Sequence, residues 1–242
     1  MKELIKSIIR NLLNTFHLDL TKNLKYDRLT KTIISRTVKN STICVDIGAH
    51  KGDILDLFLT YSPKPKHFAF EPIPELYNKL KLKYAKSCNI FPFALSNTEG
   101  ETIFQFVRNA PAYSGIKKRS YSIKNPDILE LKVQAKTLDS IIPDSVKVGF
   151  IKIDVEGAEF LVLKGAQAIL KKDKPFVIFE CGLGASDYYG TKPEEVYDFF
   201  QNEVTLNISL LSDWIKNKKA LSKQQFCECY TTNSEYYFLA HP

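Results

Sequence analysis

Residues 42–71, TICVDIGAHKGDILDLFLTYSPKPKHFAFE, constrain the fold more than any other stretch of the chain. An apolar, β-rich run ends in Asp46, and a glycine-containing turn leads into a helical pattern of apolar residues. A second short apolar run then ends in Glu71. This order predicts a βαβ unit that holds a nucleoside, because glycine lets the backbone come close to a ligand. An acid at the end of the second strand can bind both ribose hydroxyls.

The turn in this unit differs from the one that binds dinucleotides. The dinucleotide fingerprint is G-x-G-x-x-G, which rests a pyrophosphate on the helix N-terminus. Here the turn reads D-x-G-x-x-x-G, with Asp46 before the first glycine. A carboxylate at this place would repel a pyrophosphate and would suit a ligand with an amino group or a sulfonium. S-adenosylmethionine carries both groups, so the turn favours this cofactor.

Length, composition and cysteine content are typical of one α/β domain. The chain has 242 residues, 44% of them apolar, and a net charge of +7, which fits a doubly wound fold with a sizeable core. The basic balance permits binding to nucleic acid, anionic membrane or an acidic substrate, but a lysine-rich surface is more often simply a solvated one. Five cysteines without a C-x-x-C spacing indicate reduced thiols and a cytoplasmic protein. We expect neither a spanning helix nor a secretory signal.

Residues 1–40 are predicted to be helical and to form an N-terminal extension of the domain in residues 41–242. Apolar residues recur there at helical spacing, at Leu4, Ile5, Ile8, Ile9, Leu12, Leu13 and Phe16. A helix packed on the edge of the domain, or in a homodimer contact, is the favoured interpretation. Peripheral contact with a membrane is the alternative.

The remaining chain predicts alternating strands and helices. Predicted strands cover residues 89–95, 102–107, 131–137, 150–153, 175–180, 204–211 and 236–240, and predicted helices cover residues 72–86, 158–170 and 193–200. Residues 108–126, which are rich in Ser, Tyr and Lys, are predicted to form a long loop.

Four of the predicted buried strands end in a carboxylate. These acids are Asp46, Glu71, Asp154 and Glu180. The ligand crevice of an open α/β sheet lies outside the carboxyl ends of its strands. One such acid could serve merely as a helix N-cap, but four of them favour a common site.

Several blocks of the sequence resemble the FkbM-type S-adenosylmethionine-dependent methyltransferases. The blocks are VDIGAHKGD, FAFEPIPELYNKLK, FALSNTEG, TLDSII and, most specifically, FIKIDVEGAEFLVLKGAQAIL. The similarity covers roughly residues 42–181. It implies a Rossmann-like class I methyltransferase fold, with a mostly parallel seven-stranded sheet and helices on both faces. It also implies O-methylation of a hydroxyl on a sugar, a glycan, a glycolipid or a related natural product.

The resemblance also implies which residues bind the cofactor. The methionine-side loop would be formed by Asp46, Gly48, Ala49, His50 and Gly52; Glu71 and Pro72 would hold the ribose; Ala94 and Leu95 would flank the adenine; and Asp154, Glu156 and Gly157 would lie beside the transferred methyl. His50 departs from the broader pattern D-x-G-x-G-x-G, which has glycine at this place.

The predicted catalytic residues are Asp154, His50 and Glu180. A sugar hydroxyl is a weak nucleophile and benefits from a base that accepts its proton. Asp154 is the first candidate for this base, and His50 is the second, because histidine titrates near neutral pH. Asp154 and Glu180, with Glu156 as a third ligand, could instead hold Mg²⁺ or Mn²⁺. Two acids at strand ends are not a ligand set, so no metal site is assigned.

The basic and aromatic loop RNAPAYSGIKKRSY supplies the predicted substrate contacts. These are Arg108, Tyr113, Ser114 and Lys117. Cationic side chains near the cleft would suit the phosphate of a nucleotide-linked or lipid-linked sugar. An exposed basic loop without a ligand is an equally good interpretation.

Two other functions compete with hydroxyl methylation. RNA methylation is encouraged by the pI of 9.0, but no RNA-binding appendage is recognisable and the N-P-P-[YF] motif is absent. We therefore expect no nucleic-acid partner. A non-catalytic cofactor-binding module is the other alternative, and the intact Asp46, Glu71 and Asp154 argue against it.

Overall fold

The computed structural model describes residues 21–121 and 123–242. The apolar stripe predicted over residues 4–16, and with it the alternative of a membrane contact, lies outside this part of the chain. No helix within the described ranges is both long and apolar enough to cross a membrane.

Ten strands and nine α-helices make up the described part of the chain. The strands are β1 (Ile43–Ile47), β2 (His67–Phe70), β3 (Cys88–Phe91), β4 (Phe93–Leu95), β5 (Gly100–Val107), β6 (Ile128–Lys136), β7 (Val148–Ile153), β8 (Phe176–Glu180), β9 (Asn207–Leu210) and β10 (Tyr237–His241). The helices are α1 (Lys22–Thr37), α2 (Asp53–Tyr61), α3 (Pro74–Tyr84), α4 (Leu138–Ile141), α5 (Glu159–Lys164), α6 (Gln167–Asp173), α7 (Pro193–Asp198), α8 (Leu211–Ile215) and α9 (Lys223–Thr232).

Seven of the strands form one sheet in the order β3-β2-β1-β7-β8-β10-β9. All neighbours pair in parallel except β10, which runs antiparallel to β8 and β9. The predicted seven-stranded, mostly parallel sheet is therefore confirmed. Asp46 on β1 is in register with Ala69 on β2 and with Lys152 on β7. The chain order reverses between β1 and β7, so the ligand crevice is expected at the carboxyl ends of these two strands.

Apolar residues cover both faces of the large sheet. Neighbouring residues of β7 alternate between the faces, so that Ile151 belongs to one apolar cluster and Phe150 to the other, and both are fully buried. This is the pattern of a parallel strand covered by helices on both sides. Helices on both faces were predicted, and the structure has them.

Helix α1 packs on the same face as Phe150. Its buried residues Leu29, Ile33 and Ile34 join the apolar cluster there, and Lys25 pairs with Glu235, ahead of β10, at 2.6 Å. Residues 22–37 thus form part of the packed fold, although they fall inside the predicted extension. The division at residue 40 remains a prediction.

The prediction of a single strand over residues 89–95 is wrong, because the segment forms two strands in different sheets. Pro92 separates β3 from β4, since proline has no N–H to donate to a strand ladder. Whereas β3 is the edge of the large sheet, β4 joins a second sheet in the order β4-β6-β5. This small sheet brings Ala94 and Leu95 to the carboxyl ends of the large one.

The single helix predicted over residues 158–170 is also interrupted. Helices α5 and α6 are separated at Gly165. A Cβ at this glycine would lie 2.1 Å from the carbonyl oxygen of Ser96. The chain after β4 therefore packs directly on the backbone at Gly165, and the helix axis breaks where that contact is made.

Candidate active site

The turn after β1 can be formed only with glycine at residue 48. Gly48 has φ +80°, and a Cβ there would lie 1.9 Å from the carbonyl oxygen of Asp154. The backbone N–H groups of Gly48 and Ala49 both donate to the carbonyl oxygen of Phe70, at 3.0 Å each. The turn thus joins the ends of β1, β2 and β7 at the switch point of the sheet.

Gly52, the N-cap of helix α2, also has a conformation and a packing environment that require glycine. Its φ is +86°, and a Cβ there would lie 2.6 Å from the ring of Tyr84. The hydroxyl of Tyr84 donates to the carbonyl oxygen of Gly52 at 3.0 Å and lies 2.8 Å from a carboxylate oxygen of Asp56. Helix α3 therefore fixes the start of α2 and, with it, the shape of the turn.

Glu71 is held rigidly at the end of β2. Its side chain is buried, with Oε2 accepting from the N–H of His50 at 2.8 Å and Oε1 accepting from the N–H of Ile73 at 2.9 Å. Burial raises the pKa of Glu71 to about 7, although these two hydrogen bonds act to lower it. A carboxylate has about four acceptor sites, so this one can still accept from ligand hydroxyls.

A cleft of about 770 Å³, including space open to solvent, lies beside Glu71. This first cleft is mainly apolar and is lined by residues that include Ile47, Phe70, Ile73, Phe93, Phe104, Ala112 and Ile116. Eight of the residues predicted to bind cofactor line it, namely Gly48, His50, Glu71, Pro72, Ala94, Leu95, Asp154 and Glu156. An apolar cleft with one buried acid suits a flat base joined to a ribose.

A second, polar cleft opens toward α1. Its walls include Asp27, Thr30 and Lys31 of α1, Ala49 and Lys51 of the turn, Asp53 and Asp56 of α2, and Asp46, Lys152 and Tyr237 of the sheet. Gly48, His50 and Asp154 line both clefts. These three residues therefore mark the junction where the two clefts meet.

Asp46 lines the second cleft, and one of its carboxylate oxygens is buried without a partner among the described residues. Its side chain is 2% exposed, and Oδ2 has no hydrogen-bond partner among the described residues. Burial raises the pKa of Asp46 to about 7, and the nearby Lys152 ammonium opposes this shift. Since buried polar groups are nearly always satisfied, the unsatisfied oxygen fits a ligand that donates a hydrogen bond at this point.

Asp154 is held by two partners at the junction of the clefts. Its Oδ2 accepts from Lys152 Nζ at 3.0 Å and from the Tyr237 hydroxyl at 3.1 Å. Burial alone would raise the pKa of Asp154, but the Lys152 charge and these hydrogen bonds outweigh burial and hold the pKa below its usual value. Asp154 is therefore an ionised carboxylate at neutral pH.

His50 also lies at the junction of the clefts, and its backbone has φ +47°. Burial, together with the neighbouring Lys51 ammonium, lowers the pKa of the imidazole. The ring is therefore neutral at pH 7 and can accept a proton.

Glu180, the last of the four predicted strand-end acids, lines neither cleft. It ends β8 beside Tyr237, with which it is in register. Burial, followed by the charges of Asp154 and Glu159, raises the pKa of Glu180 to about 8. The carboxyl ends of the strands thus bring Asp46, Glu71 and Asp154 to the clefts, whereas Glu180 lies next to Tyr237 on the neighbouring strand and lines neither cleft.

The turn after β7 is strained and closely packed. Glu156 and Gly157 have φ +58° and +108°, and a Cβ at Gly157 would lie 2.4 Å from the carbonyl oxygen of Ala185. Glu156 lines the first cleft and forms an ion pair with Arg119, whereas Gly157 lines neither cleft. Tyr113 lies against the Arg119 guanidinium, with 5.4 Å from its ring centre to Cζ. The loop between β5 and β6 is therefore anchored at the cleft by Arg119.

Only one of the four predicted substrate residues lines a cleft. Ser114 lines the first cleft, where its hydroxyl accepts from the N–H of Val107 at 3.0 Å. The exposed Arg108 pairs with Asp127 at 2.7 Å, and Lys117 donates to the carbonyl oxygen of Tyr188 at 3.2 Å. Arg108, Tyr113 and Lys117 line neither cleft.

The metal alternative gains no geometric support. Within residues 21–121 and 123–242, no three Asp, Glu, His or Cys side chains come together as a group that could hold a metal ion.

Two site residues, Lys152 and Tyr237, were not predicted from the sequence. Arg119 was expected only as one of the basic side chains of the loop, without its partner Glu156. Tyr237 is 83 residues from Asp154, so their contact depends on the fold, whereas Lys152 is only two residues from Asp154. A lysine inside the apolar strand VGFIKI could have indicated Lys152, because a buried ammonium requires a partner.

The fold and the clefts define a class of protein. A doubly wound sheet with a glycine turn after β1, a buried acid after β2 and an apolar cleft at the switch point is a Rossmann-like domain of the methyltransferase type. The family model described as the methyltransferase FkbM domain matches residues 46–204. The chain belongs to this family.

Solved structures resemble the chain at low sequence identity. The methyltransferase FkbM from Methylobacillus flagellatus KT has 15% identity and a TM-score of 0.52, over 84% of this chain and 44% of that one. The chain thus spans less than half the length of that relative. An rRNA methylase from Streptococcus thermophilus has 10% identity and a TM-score of 0.47, over 88% and 94% of the two chains. A search of the curated proteins finds no match.

Proposed function

We propose that the protein is an O-methyltransferase that transfers a methyl group from S-adenosylmethionine to a hydroxyl of a sugar, a glycan or a related natural product. The observation that carries this proposal is the junction at Gly48, His50 and Asp154, where an apolar cleft meets a polar one. Two substrates that occupied these clefts would meet beside an imidazole and a carboxylate.

The cofactor would be held mainly by the turns after β1 and β2. Glu71 would accept from the ribose hydroxyls, with Pro72 beside it, and Ala94 and Leu95 would contact the adenine. The methionine end would lie along the turn formed by Gly48, Ala49 and Gly52, near the unsatisfied Oδ2 of Asp46. When bound, S-adenosylmethionine supplies an electrophilic methyl group on a positively charged sulfur.

The second cleft, apart from the region beside Asp46 and Ala49 that the methionine end would occupy, supports a hydroxyl-rich acceptor. Its walls are polar and combine carboxylates, ammonium groups and the hydroxyl of Thr30. Such groups bind alcohols by donating to and accepting from them. The loop that carries Arg119 borders the first cleft through Pro111, Ala112, Ser114 and Ile116.

The pKa directions favour His50 over Asp154 as the base. The imidazole has a lowered pKa and is neutral at pH 7, whereas Asp154 is stabilised as a carboxylate by Lys152 and Tyr237. A carboxylate with a low pKa is a weak proton acceptor. We therefore assign proton removal to His50, and alignment of the attacking hydroxyl to Asp154.

Two experiments test the proposal. Titration calorimetry with S-adenosylmethionine decides whether the cofactor binds, and the absence of binding would favour a non-catalytic module.

The second experiment incubates the protein with methyl-labelled cofactor and three acceptors, namely a neutral polysaccharide, UDP-glucose and total ribosomal RNA. The protein should label a sugar. The label should resist mild alkali, as a methyl ether does and a methyl ester does not. Label in the RNA fraction alone would overturn the proposed acceptor class.

A further inference from the structure

Lys152 is a charged residue in a strand that is otherwise apolar. It is 4% exposed, while its neighbours Ile151 and Ile153 are each 1% exposed. Burial would lower the pKa of this ammonium, but the carboxylates of Asp154 and Glu180 outweigh burial and raise it. The strand therefore contains a buried positive charge, which is costly unless it is fully paired.

All three acceptors around this charge belong to the protein. Lys152 Nζ lies 3.0 Å from Asp154 Oδ2, 3.0 Å from the Tyr237 hydroxyl and 3.4 Å from the carbonyl oxygen of Ile153. An ammonium has three donors, so these contacts leave Lys152 without a donor for a ligand. Any effect of Lys152 on a ligand must pass through its partners.

Tyr237 closes a triangle with these two residues. Its hydroxyl is 3.1 Å from Asp154 Oδ2 and 3.0 Å from Lys152 Nζ, so it accepts from the ammonium and donates to the carboxylate. Both hydrogen bonds to Asp154 end on Oδ2, which fixes this carboxylate through one oxygen. The side chain of Asp154 is nevertheless 37% exposed and lines both clefts.

Helix α1 packs against the ring of Tyr237 through Tyr26. The Tyr26 ring stacks on the Tyr237 ring, with centres 4.9 Å apart and planes inclined by 20°. The hydroxyl of Tyr26 donates to Glu235, which also pairs with Lys25. The position of Tyr237 therefore depends on α1 as well as on β10.

We propose that Lys152 and Tyr237 are positioning residues that hold the Asp154 carboxylate at the junction of the two clefts, with Tyr26 keeping Tyr237 in place. Nothing in the family match assigns these roles. The inference rests on the proposed function only in taking that junction as the reacting end of the site.

Other charged groups also face Asp154 and must be held constant in a test. They are His50 from the turn after β1, Asp46 at the end of β1, Glu159 at the start of α5 and Glu180 at the end of β8. Variants of Lys152 and Tyr237 keep these four side chains in place, but Lys152 also lowers the pKa of Asp46 and Glu180, and Tyr237 that of Glu180. The Asp154 signal itself must therefore be the readout.

The test follows the Asp154 carboxylate itself by carbon NMR of protein labelled at aspartate Cγ, with the signal assigned by its loss in Asp154→Asn. Tyr237→Phe removes one hydrogen bond to the charged form and should raise the pH at which Asp154 titrates by about one unit, a tenfold gain in proton affinity. Lys152→Met should raise it further, and Lys152→Arg should keep it near the wild-type value. Tyr236→Phe is the matched control, because its hydroxyl donates to Asn23 and not to Asp154.

An equal titration of Asp154 in Tyr237→Phe, Tyr236→Phe and the wild type would overturn the inference. If Lys152→Met does not fold, the comparison of the two tyrosine variants still decides. Calorimetry of the same wild-type sample with S-adenosylmethionine separates the two proposals. Failure to bind cofactor would refute the proposed function alone, whereas normal binding with an unchanged titration would refute the positioning roles alone.

Discussion

The carboxylate of Glu71 accepts a hydrogen bond from the backbone N–H of His50 at 2.8 Å. This contact connects the end of β2 to the turn after β1, so the acid expected to bind ribose also fixes the backbone of the candidate base. The first cleft and the junction of the two clefts are therefore connected by this hydrogen bond.

Glu71→Gln should weaken binding of S-adenosylmethionine at least tenfold. The amide nitrogen would face the N–H of either His50 or Ile73, and a buried donor left without an acceptor costs about 1–3 kcal/mol. Calorimetry measures the affinity, and thermal unfolding measures the stability. Glu75→Gln, the same change in the first turn of α3, should alter neither, and equal behaviour of the two variants would contradict this role of Glu71.

Gly48→Ala should destabilise the protein and abolish cofactor binding. The new Cβ would lie 1.9 Å from the carbonyl oxygen of Asp154, at φ +80°, so the ends of β1 and β7 must move apart. Gly190→Ala provides the control, because Gly190 has φ +71° and no atom within 4 Å of an added Cβ. Gly190→Ala introduces only the backbone strain and should retain cofactor binding. A similar loss of binding in both variants would show that the positive φ, and not the close approach to Asp154, requires glycine at residue 48.

Asp46 should make the stability of the cofactor-free protein fall between about pH 4 and pH 7. The folded protein keeps the proton on Asp46 until the pH reaches about 7, while the unfolded chain releases it near pH 4. The stabilisation is present below the unfolded pKa and is lost as pH rises through the folded one. At pH 8, Asp46→Asn should therefore have the higher Tm, by about 2–4 °C for each kcal/mol recovered, and the gain should vanish at pH 4.

The affinity for S-adenosylmethionine should change with pH in the opposite direction. A ligand that donates a hydrogen bond from a cationic group binds the ionised form of Asp46, so affinity should rise from pH 6 to pH 8. Calorimetry at several pH values measures the slope, and Asp46→Asn should reduce it to the part due to Glu71, whose pKa is also about 7. An unchanged slope in Asp46→Asn would contradict this role of Asp46.

Substitutions at the junction should separate binding from catalysis. His50→Gln and Asp154→Asn should both retain cofactor, whereas turnover should fall about 10²–10⁴-fold in His50→Gln if the imidazole accepts the proton. Release of S-adenosylhomocysteine in the presence of a methylated acceptor measures turnover. Full activity in His50→Gln with loss in Asp154→Asn would return the role of base to Asp154.

The sequence predicted the part of the fold that local pattern determines. The β1–α2–β2 unit was predicted because its apolar runs, glycine turn and terminal acids lie within 30 consecutive residues. The breaks at Pro92 and Gly165 were missed, although proline and glycine are present there, because an apolar run on both sides resembles one continuous element.

The site contacts that were not predicted join segments that are distant in the sequence. Tyr237 meets Asp154 only because β10 returns beside β8, and Arg119 meets Glu156 only because the loop after β5 folds back on the first cleft. Composition predicted the basic loop correctly, but it could not show that Arg108 pairs with Asp127 and Arg119 with Glu156. Pairing of charges over such distances follows from the fold and not from the sequence pattern.

A crystal structure of the protein with S-adenosylhomocysteine tests the central claim most directly. The account predicts that the nucleoside lies in the first cleft, with the ribose hydroxyls within hydrogen-bond distance of Glu71, the adenine beside Ala94 and Leu95, and the homocysteine end along Gly48 toward Asp46. A nucleoside bound anywhere other than between Gly48 and Glu71 would contradict the account.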